Sequence, residues 1–268
     1  MSFKYNRLIE RNLGLITKEE QKILKKSCIA IFGVGGLGGV ISEVLTRSGI
    51  GYLKIIDNDK FEITNLNRQN FSFQNTIGKL KINVIEKFLK KINPQIKIEK
   101  YKEVTESNIN RILKNVNVAV LAIDSLKPCL IISRATKKKN IPLVEGWAIP
   151  FGNVRVFTKD TPSLEEVYQL PTTGKKISSF SDEDFRRLTL YMLEKLKKIK
   201  GIESFYPPYA IEKIKKGKIP SFAPLVWLTA VLMSLEVIKL LLKWGKIPFS
   251  PYFALYNPFN HSIPEQEV

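Results

Sequence analysis

The chain has 268 residues, of which 44% are hydrophobic and 25% charged; this favours a soluble globular protein and suffices for the core of one large domain. Its two cysteines, Cys28 and Cys129, are far apart in sequence, which argues against a disulfide framework and against a four-cysteine zinc site. The net charge of +18 invites a nucleic-acid interpretation, but the lysines are spread along the chain, which slightly favours a solvated basic surface over an RNA site.

The N-terminal region and the apolar stretches give an expectation about location. No basic segment followed by an apolar core and a small-residue cleavage site is visible, so we expect a protein of the reducing cytoplasm. The longest apolar stretch, FAPLVWLTAVLMSL from Phe222, is followed by Glu236 and Lys239. It is shorter than a membrane span and predicts a buried helix, so we expect no membrane among the partners of the protein.

Helices and strands alternate in the pattern of the first half of the chain. Thr17 and Glu20 have capping-box spacing, so TKEEQKILKK predicts a helix before the first strand. The predicted strands are CIAIF, YLKIID, IKIEKY, NVAVLAI and IPLVEG, and the predicted helices between them are Leu37 to Ser48, Ile77 to Ile92, Glu106 to Lys114 and Lys127 to Lys139. This alternation is typical of βαβ units and predicts a Rossmann-like, doubly wound, mainly parallel α/β sheet.

We expect a single domain with four parts. N-terminal helices occupy residues 1–27, and the nucleotide-binding core occupies residues 28–158. Residues 159–220 are rich in Lys, Pro, Ser and Gly and predict a basic variable loop region, with one charged helical stretch at DEDFRRLTLYMLEKLKKI. Residues 221–268 predict a helix and a strand around YFALYN that pack on the same domain as a C-terminal extension.

A glycine-dense turn, IFGVGGLGG at residues 31–39, follows the first predicted strand and precedes a helix. Glycines at 33, 35, 36 and 38 let the backbone approach an anion, and the helix that follows directs its N-terminal amides at that anion. Asp57 ends the second predicted strand, where Rossmann dehydrogenases place a ribose-binding carboxylate. These two features alone favour an NAD-dependent oxidoreductase.

The residues after Asp57 favour a different nucleotide. The stretch DNDKFEITNLNRQNF brings Asp59, Asn65, Arg68 and Gln69 close in sequence, and GKLK places Lys81 at the start of the next helix. A hydride-transfer site has little use for an arginine and a lysine beside the phosphates. A triphosphate that undergoes substitution needs cations where negative charge develops. This pattern therefore favours ATP.

Asp124 ends the fourth predicted strand, in VAVLAIDS, at the sheet edge where doubly wound folds bind ligands. A carboxylate there can hold Mg²⁺, which favours one or two carboxylates together with phosphate oxygens. The alternative role is an N-cap for the helix expected from Lys127. The cations Arg68 and Lys81 nearby favour the metal.

Several stretches together carry a resemblance to a known family. They are YNRLI (5–9), GVGGLGG, DNDKFEITNLNRQ, GKLK, INP (92–94), AIDS and IPLVEG. The chain resembles the adenylyltransferase superfamily of the ubiquitin-activating enzymes, and within it the bacterial ThiF/MoeB/HesA branch. The resemblance covers residues 5 to about 157 and again about 220 to 258, and TNLNRQ is its most specific part.

The resemblance implies an activity and a set of roles. The C-terminal carboxylate of a small ubiquitin-fold protein would attack the α-phosphate of ATP, giving an acyl-adenylate and pyrophosphate. Asp57 would bind the ribose and Asp124 would hold Mg²⁺, while Arg7 would reach into the site of the partner subunit in a homodimer. The implied nucleotide-binding set is Gly36, Asp57, Asp59, Asn65, Arg68, Gln69, Lys81, Asp124 and Ser125; the implied catalytic set is Arg7, Arg68, Lys81 and Asp124. The alternative for Arg7 is an ordinary exposed arginine near a terminus.

The departures from the family pattern carry expectations too. Many relatives have two Cys-x-x-Cys pairs for structural zinc, and some have a reactive cysteine after the VRVF strand, but residues 140–268 of this chain contain no cysteine. We expect no structural zinc, and adenylation without a covalent thioester, because Cys28 and Cys129 fit small buried apolar positions better than nucleophiles. His261 fits a surface position better than a base or a ligand.

Two substrate classes stay open. The first is a ubiquitin-like or sulfur-carrier protein that ends in Gly-Gly, which GWAIPFGNVRVF and TNLNRQ favour. The second is a tRNA that carries threonylcarbamoyladenosine, whose carboxylate would be adenylated and cyclised; AIDSLKP and the basic surface resemble that branch. A third interpretation, a non-catalytic nucleotide-binding scaffold, is disfavoured because the sequence has lost no phosphate-contacting position of the family.

Overall fold

Five parallel strands form the centre of the sheet. They are β1 Cys28–Phe32, β2 Tyr52–Ile56, β3 Lys97–Tyr101, β4 Val118–Leu121 and β5 Leu143–Glu145, followed by antiparallel β6 Gly152–Phe157, β7 Tyr252–Tyr256 and β8 Glu265–Glu267. The order of the eight described strands is β3-β2-β1-β4-β5-β6-β7-β8. This computed structural model describes residues 3–197, 209, 212–213, 220–261 and 265–267. The predicted Rossmann-like, mainly parallel sheet is confirmed; β8 was not predicted.

Two apolar layers cover the two faces of the sheet. Alternate residues of β1 face opposite ways, so Cys28, Ala30 and Phe32 join one buried cluster while Ile29 and Ile31 join the other. The helices are α1 Tyr5–Leu8, α2 Lys18–Lys26, α3 Gly36–Arg47, α4 Lys81–Ile92, α5 Ile109–Ile112, α6 Leu126–Lys139, α7 Leu164–Val167, α8 Asp182–Lys197 and α9 Ala223–Leu242. Helices α2, α3, α4 and α9 cover one face; α5, α6, α7 and α8 cover the other.

The strand register places the carboxyl ends of β1, β2 and β4 next to one another. Phe32, the last residue of β1, pairs with Ile56 of β2 on one side and with Leu121 of β4 on the other. The chain therefore leaves β1, β2 and β4 at the same edge of the sheet, and the segments after these strands lie side by side. The strand order reverses between β1 and β4, which is where doubly wound sheets open a crevice for a ligand.

Three segments differ from the predicted elements. Helix α4 begins at Lys81 and not at Ile77, because Gly78 has a φ of +80° and Leu80 forms an isolated bridge with Lys60. Helix α5 spans only Ile109–Ile112 of the helix predicted from 106 to 114. In the region predicted as variable loop, α7 and α8 are present and α8 matches the predicted charged helix; residues 198–208, 210–211 and 214–219 of that region lie outside the described residues.

Helix α9 is longer than the helix that we predicted from its apolar stretch. It continues through Glu236 and Lys239, which form an ion pair of 2.7 Å, and ends at Leu242. Within the described chain it is the one helix long and apolar enough to cross a membrane, with a mean hydropathy of 2.1, so the prediction that the stretch is too short was wrong. One face of α9 is nevertheless buried against α3 and β6, and the residues of that face are Val226, Ala230, Met233 and Val237. The opposite face exposes Trp227, Val231 and Leu235, so the predicted burial holds for one side only.

Candidate active site

The glycine-dense turn runs from the end of β1 to the start of α3 at the reversal point of the sheet. Gly33 has a φ of +84°, and a Cβ there would lie 2.4 Å from the carbonyl oxygen of Ala122. A Cβ at Gly38 would lie 1.9 Å from the carbonyl oxygen of Gly33, so a side chain at either position would block the turn. Gly35 occupies the N-cap position of α3 without a capping side chain, which leaves the first amides of the helix for an anion.

Asp57 connects the turn to the end of β2. Its Oδ2 accepts a hydrogen bond of 2.9 Å from the backbone N–H of Val34, and its Oδ1 accepts one of 2.8 Å from the N–H of Asp59. Burial raises the pKa of Asp57, and the nearby charge of Lys81 opposes that shift. Each carboxylate oxygen keeps a free lone pair, so Asp57 can still accept hydrogen bonds from a ribose.

Lys81 brings a buried cation to this edge. It is the first residue of α4, its Nζ lies 2.8 Å from Oδ2 of Asp59, and its side chain is 7% exposed. A second bond, from the backbone N–H of Lys81 to the carbonyl oxygen of Asp59 at 2.9 Å, fixes the start of the helix. The ammonium has three donors, so it can reach a phosphate while it keeps its bond to Asp59.

Arg68 lies on a tight turn that α9 holds against the glycines. Its Nη1 donates to the carbonyl oxygen of Thr64 and to Oδ1 of Asn67, both at 2.9 Å. Its own carbonyl oxygen accepts a 2.8 Å bond from Nε1 of Trp227. Burial lowers the pKa of Arg68, and the charge of Asp124 opposes that shift, so the guanidinium lies within electrostatic reach of Asp124. A Cβ at Gly36 would lie 3.6 Å from Cγ of Arg68, which places the arginine beside the turn.

The amide side chains of the same turn divide into two kinds. Asn65 is buried, and its Oδ1 accepts a 3.1 Å bond from the N–H of Glu62, a structural contact that closes the turn. Gln69 Oε1 and Asn70 Oδ1 are buried without a hydrogen-bond partner among the described residues. Unpartnered buried oxygens beside a glycine turn fit a nucleotide with its own donors. Asn70 was missed from the sequence, although it follows Gln69 directly.

Asp124 and Ser125 are exposed in the segment after β4. Helix α6 begins at Leu126, and Ser125, not Asp124, holds its N-cap position without a side-chain capping bond, so the N-cap alternative for Asp124 was wrong. In the described part of the chain no group of three or more His, Cys, Asp or Glu side chains is placed to hold a metal ion. A single carboxylate still suits Mg²⁺, because the phosphate oxygens of the nucleotide complete its ligand set.

The comparison with known proteins decides the family. The family model described as ThiF family matches residues 5–268. The chain belongs to the ThiF family. This match confirms the predicted resemblance. It also includes the region between about 157 and about 220, which the sequence motifs did not cover.

Individual relatives of this ThiF-family chain differ in their substrates. It is 31% identical over 143 residues to a tRNA threonylcarbamoyladenosine dehydratase of Bacillus subtilis, covering 50% of the chain and 54% of the relative. It is 31% identical over 151 residues to a sulfur carrier protein adenylyltransferase of Thermus thermophilus, covering 56% of each. The aligned regions span about half the length of these two relatives.

Solved structures agree with the fold. A structure of E. coli MccB with ATP superimposes with a TM-score of 0.66 at 23% sequence identity, over 92% of this chain and 65% of MccB. At this identity the likeness shows the shared fold. The doubly wound sheet with its antiparallel extension is therefore a fold that this chain shares with MccB.

The remaining predicted residues lie away from the glycine turn or are buried. Arg7 lies on α1 with a 76% exposed side chain and forms an ion pair of 3.0 Å with Glu10. Cys28 and Cys129 are buried free thiols; burial raises the pKa of Cys28 to about 11 and raises that of Cys129 further. His261 is exposed, as predicted, and its Nδ1 lies 2.9 Å from the hydroxyl of Tyr256.

Proposed function

We propose that this ThiF-family chain is an ATP-dependent adenylyltransferase that activates a carboxylate. The observation that carries the proposal is the arrangement of charged side chains around the glycine turn. Lys81 acts on the charge of Asp57, whose Oδ2 bonds to the N–H of Val34. Arg68 lies beside Gly36 and within electrostatic reach of Asp124. One oxygen of the carboxylate attacks the α-phosphorus and forms a new P–O bond. The bond between the α-phosphorus and the bridging oxygen breaks, and pyrophosphate leaves with the electron pair.

The residues of the chain serve this reaction through position and charge. The amides at the start of α3 bind phosphate, and Asp57 binds the ribose. Lys81 and Arg68 lie where negative charge grows on the phosphates, and a cation held there stabilises the transition state more than the ground state. Asp124 is the one residue assigned to Mg²⁺, which when bound would neutralise phosphate charge.

The proposed acceptor is the C-terminal carboxylate of a small ubiquitin-fold carrier protein ending in Gly-Gly. The sulfur carrier protein adenylyltransferase of Thermus thermophilus supports this class at 31% identity. The buried cysteines support adenylation without a thioester on this chain, because a buried thiol with a raised pKa is a poor acceptor for an acyl group.

A tRNA that carries threonylcarbamoyladenosine is the second candidate acceptor. The dehydratase of Bacillus subtilis supports it at 31% identity, and the net charge of +18 suits a polyanionic substrate. Basic residues crowd the last turn of α6, at Lys137, Lys138 and Lys139. This candidate changes the substrate and keeps the same adenylation site.

We further propose that two copies form a homodimer. The exposed face of α9 carries Trp227, Val231 and Leu235, which are 43%, 48% and 45% exposed. Exposed Ile63 and Leu66 lie on the turn that Trp227 contacts through Arg68, so the apolar surface continues toward the site. An apolar surface of this kind is typical of a protein interface, and we propose that the second copy covers it. The role of Arg7 in the site of the neighbouring copy is the one that the family resemblance implies.

Ligand-dependent thermal stability tests the choice of nucleotide. ATP with Mg²⁺ should raise the melting temperature, and the rise should grow with ligand concentration as mass action requires, whereas NAD⁺ at equal concentration should leave it unchanged. Lys81→Ala should reduce the rise caused by ATP. Equal stabilisation by NAD⁺ would contradict the proposal and favour the dehydrogenase interpretation.

A further inference from the structure

The segment 221–227, which contains the first turn of α9, holds the Arg68 turn at two points. The indole Nε1 of Trp227 donates a 2.8 Å hydrogen bond to the carbonyl oxygen of Arg68. Nδ2 of Asn67, the preceding residue of the turn, donates a 2.9 Å bond to the carbonyl oxygen of Ser221. These bonds join residues that are 159 and 154 positions apart in sequence, so tertiary contacts fix the turn to the start of α9.

Asn67 extends the contact to the guanidinium of Arg68. Its Oδ1 accepts a 2.9 Å bond from Nη1 of Arg68, and the same Nη1 donates to the carbonyl oxygen of Thr64 at 2.9 Å. The amide of Asn67 therefore bonds to the segment 221–227 with its nitrogen and to the arginine with its oxygen. Through these bonds the segment holds both the backbone and the side chain of Arg68.

The bonds to Nη1 leave one edge of the guanidinium free. A guanidinium has five N–H donors, and Nη1 supplies two of them. Thr64 and Asn67 accept from Nη1, whereas no described residue accepts a hydrogen bond from Nε or Nη2 of Arg68. The Nε–Nη2 edge is a planar fork that matches two oxygens of one phosphate group. An arginine already held in one position loses less side-chain freedom when a phosphate binds, and this raises affinity.

The segment 221–227 also packs on the glycine turn. Val226 is 2% exposed, and a Cβ at Gly36 would lie 3.0 Å from its Cγ1 and 3.6 Å from Cγ of Arg68. Val226 and Arg68 are therefore neighbours of the same glycine. The segment that holds the arginine thus also fixes its distance from the turn assigned to phosphate.

We propose that Trp227 and Asn67 are positioning residues, which hold Arg68 with its Nε–Nη2 edge available to a phosphate of the bound nucleotide. The inference rests on the proposed function, because that function assigns Arg68 to the phosphates. Trp227 and Asn67 act through Arg68 and have no assigned contact with the nucleotide. Trp227 is 43% exposed, so a change of its ring disturbs the core little.

A double-mutant cycle on ATP affinity tests this without requiring turnover. The parent, Trp227→Phe, Arg68→Ala and the double variant are each titrated with ATP and Mg²⁺, and calorimetry gives the Kd. Trp227→Phe keeps an apolar ring and removes the N–H, so it should weaken the Kd by about threefold to tenfold, the scale of one hydrogen bond. This result alone does not show that the effect passes through Arg68.

The Arg68→Ala background identifies the path. This variant keeps the backbone carbonyl that Trp227 binds and removes the guanidinium, while Asp57, Lys81 and the amides of α3 remain to bind ATP. If Trp227 acts through the guanidinium, Trp227→Phe should change the Kd by less than about 1.5-fold in this background, because coupled residues are not additive. Equal losses with and without the arginine would mean that Trp227 acts in another way.

Trp244→Phe is the matched control. Trp244 lies just beyond the C-terminal end of α9, and its Nε1 bonds to Oε1 of Glu20 at 2.7 Å. Each Phe variant loses one indole hydrogen bond, so the melting temperatures without nucleotide should fall by similar amounts. Only Trp227→Phe should weaken ATP binding. A merely structural role of Trp227 would lower the melting temperature without this difference in Kd.

Asn67→Ala provides an independent variant if Trp227→Phe fails to fold. It removes the link between Ser221 and the guanidinium, and it should weaken the Kd for ATP by about threefold to tenfold, again only while the Arg68 side chain is present. An unchanged Kd in both Trp227→Phe and Asn67→Ala overturns the inference.

The outcomes also separate the inference from the proposed function. Pyrophosphate exchange by a parent whose Trp227 and Asn67 variants bind ATP normally overturns the inference and leaves the proposed function standing. Coupling to Arg68 in the cycle, without exchange for any acceptor, supports the inference and contradicts the proposed function. A parent chain that does not bind ATP overturns both.

Discussion

Lys81 Nζ lies 2.8 Å from Asp59 Oδ2, although the lysine side chain is 7% exposed and the aspartate side chain 64%. The pair connects the segment after β2 to the first residue of α4, so the cation is held in place by the fold. The carboxylate remains open to solvent and to ligands. A preorganised cation of this kind has little reorganisation to undergo when charge develops on a phosphate.

Removal of the Lys81 ammonium should cost activity more than stability. Lys81→Ala should lower the rate of ATP–pyrophosphate exchange by on the order of 10², the scale of a lost transition-state donor. Lys79→Ala is the control, because Lys79 is exposed two residues earlier, and it should exchange near the parent rate. A Lys81→Ala variant that exchanges pyrophosphate at the parent rate would show that Lys81 takes no part in the reaction.

Mixed dimers test whether Arg7 acts across the interface. Differently tagged Arg7→Ala and Lys81→Ala chains are co-expressed and the heterodimer is purified by both tags. One of its two sites combines an intact Lys81 with Arg7 from the other chain, so about half of the parent exchange should return. A heterodimer as inactive as the two single-variant homodimers would mean that Arg7 acts in its own subunit. An Arg7→Ala homodimer as active as the parent would mean that Arg7 takes no part, and the ion pair with Glu10 would be its main contact.

ATP affinity should depend on the ionisation of Asp57. Burial raises the pKa of this carboxyl above its ordinary 3.8, and the ionised form is the one that accepts hydrogen bonds from a ribose. The Kd for ATP, measured calorimetrically, should weaken by up to about tenfold per pH unit as the pH falls below the raised pKa. The same shift gives the fold extra stability on the acid side of that pKa, which is lost as the pH rises through it.

The Asp57→Asn variant separates this carboxyl from other titrating groups. It should bind ATP more weakly than the parent at pH 7 and show little change in Kd over the same acid range. A variant with the full pH dependence of the parent would assign the effect to another group.

The two thiols should resist alkylation while the chain is folded. With its pKa raised to about 11, Cys28 is about 0.1% thiolate at pH 8 and is also buried, and Cys129 is more strongly shifted. Intact-mass measurement after iodoacetamide should show no adduct on the native chain and two on the unfolded chain. Cys28→Ser and Cys129→Ser should keep exchange near the parent rate. A reductant-sensitive adduct with a carrier protein, lost in either variant, would contradict adenylation without a thioester.

The local chemistry of the glycine turn was readable from the sequence. Strand, glycine run and helix follow each other within twenty residues, and Gly33 and Gly38 have the close contacts that the spacing implies. Asp57 was predicted for the same reason, because the end of a parallel strand fixes its position at the sheet edge. The start of α4 was predicted four residues early, since Gly78 and the bridge from Lys60 to Leu80 are decided by tertiary contacts.

Contacts between distant segments were not predictable in this way. Trp227 holds the Arg68 turn across 159 positions of sequence, and the apolar pattern of α9 gave no sign that this ring faces outward. Glu145 and Arg155 were missed as well. They are directly paired in the antiparallel register of β5 and β6, and two opposite charges inside adjacent apolar strands were the signal that could have found them.

Acceptor-dependent exchange of labelled pyrophosphate into ATP tests the central claim most directly, because adenylation is reversible while the adenylate stays bound. The chain is incubated with ATP, Mg²⁺ and either a ubiquitin-fold protein ending in Gly-Gly or a tRNA bearing threonylcarbamoyladenosine. The account predicts exchange only when an acceptor with a free carboxylate is present, and none when that carboxylate is amidated. No exchange with any acceptor, while ATP still stabilises the chain, would contradict it and leave a nucleotide-binding scaffold.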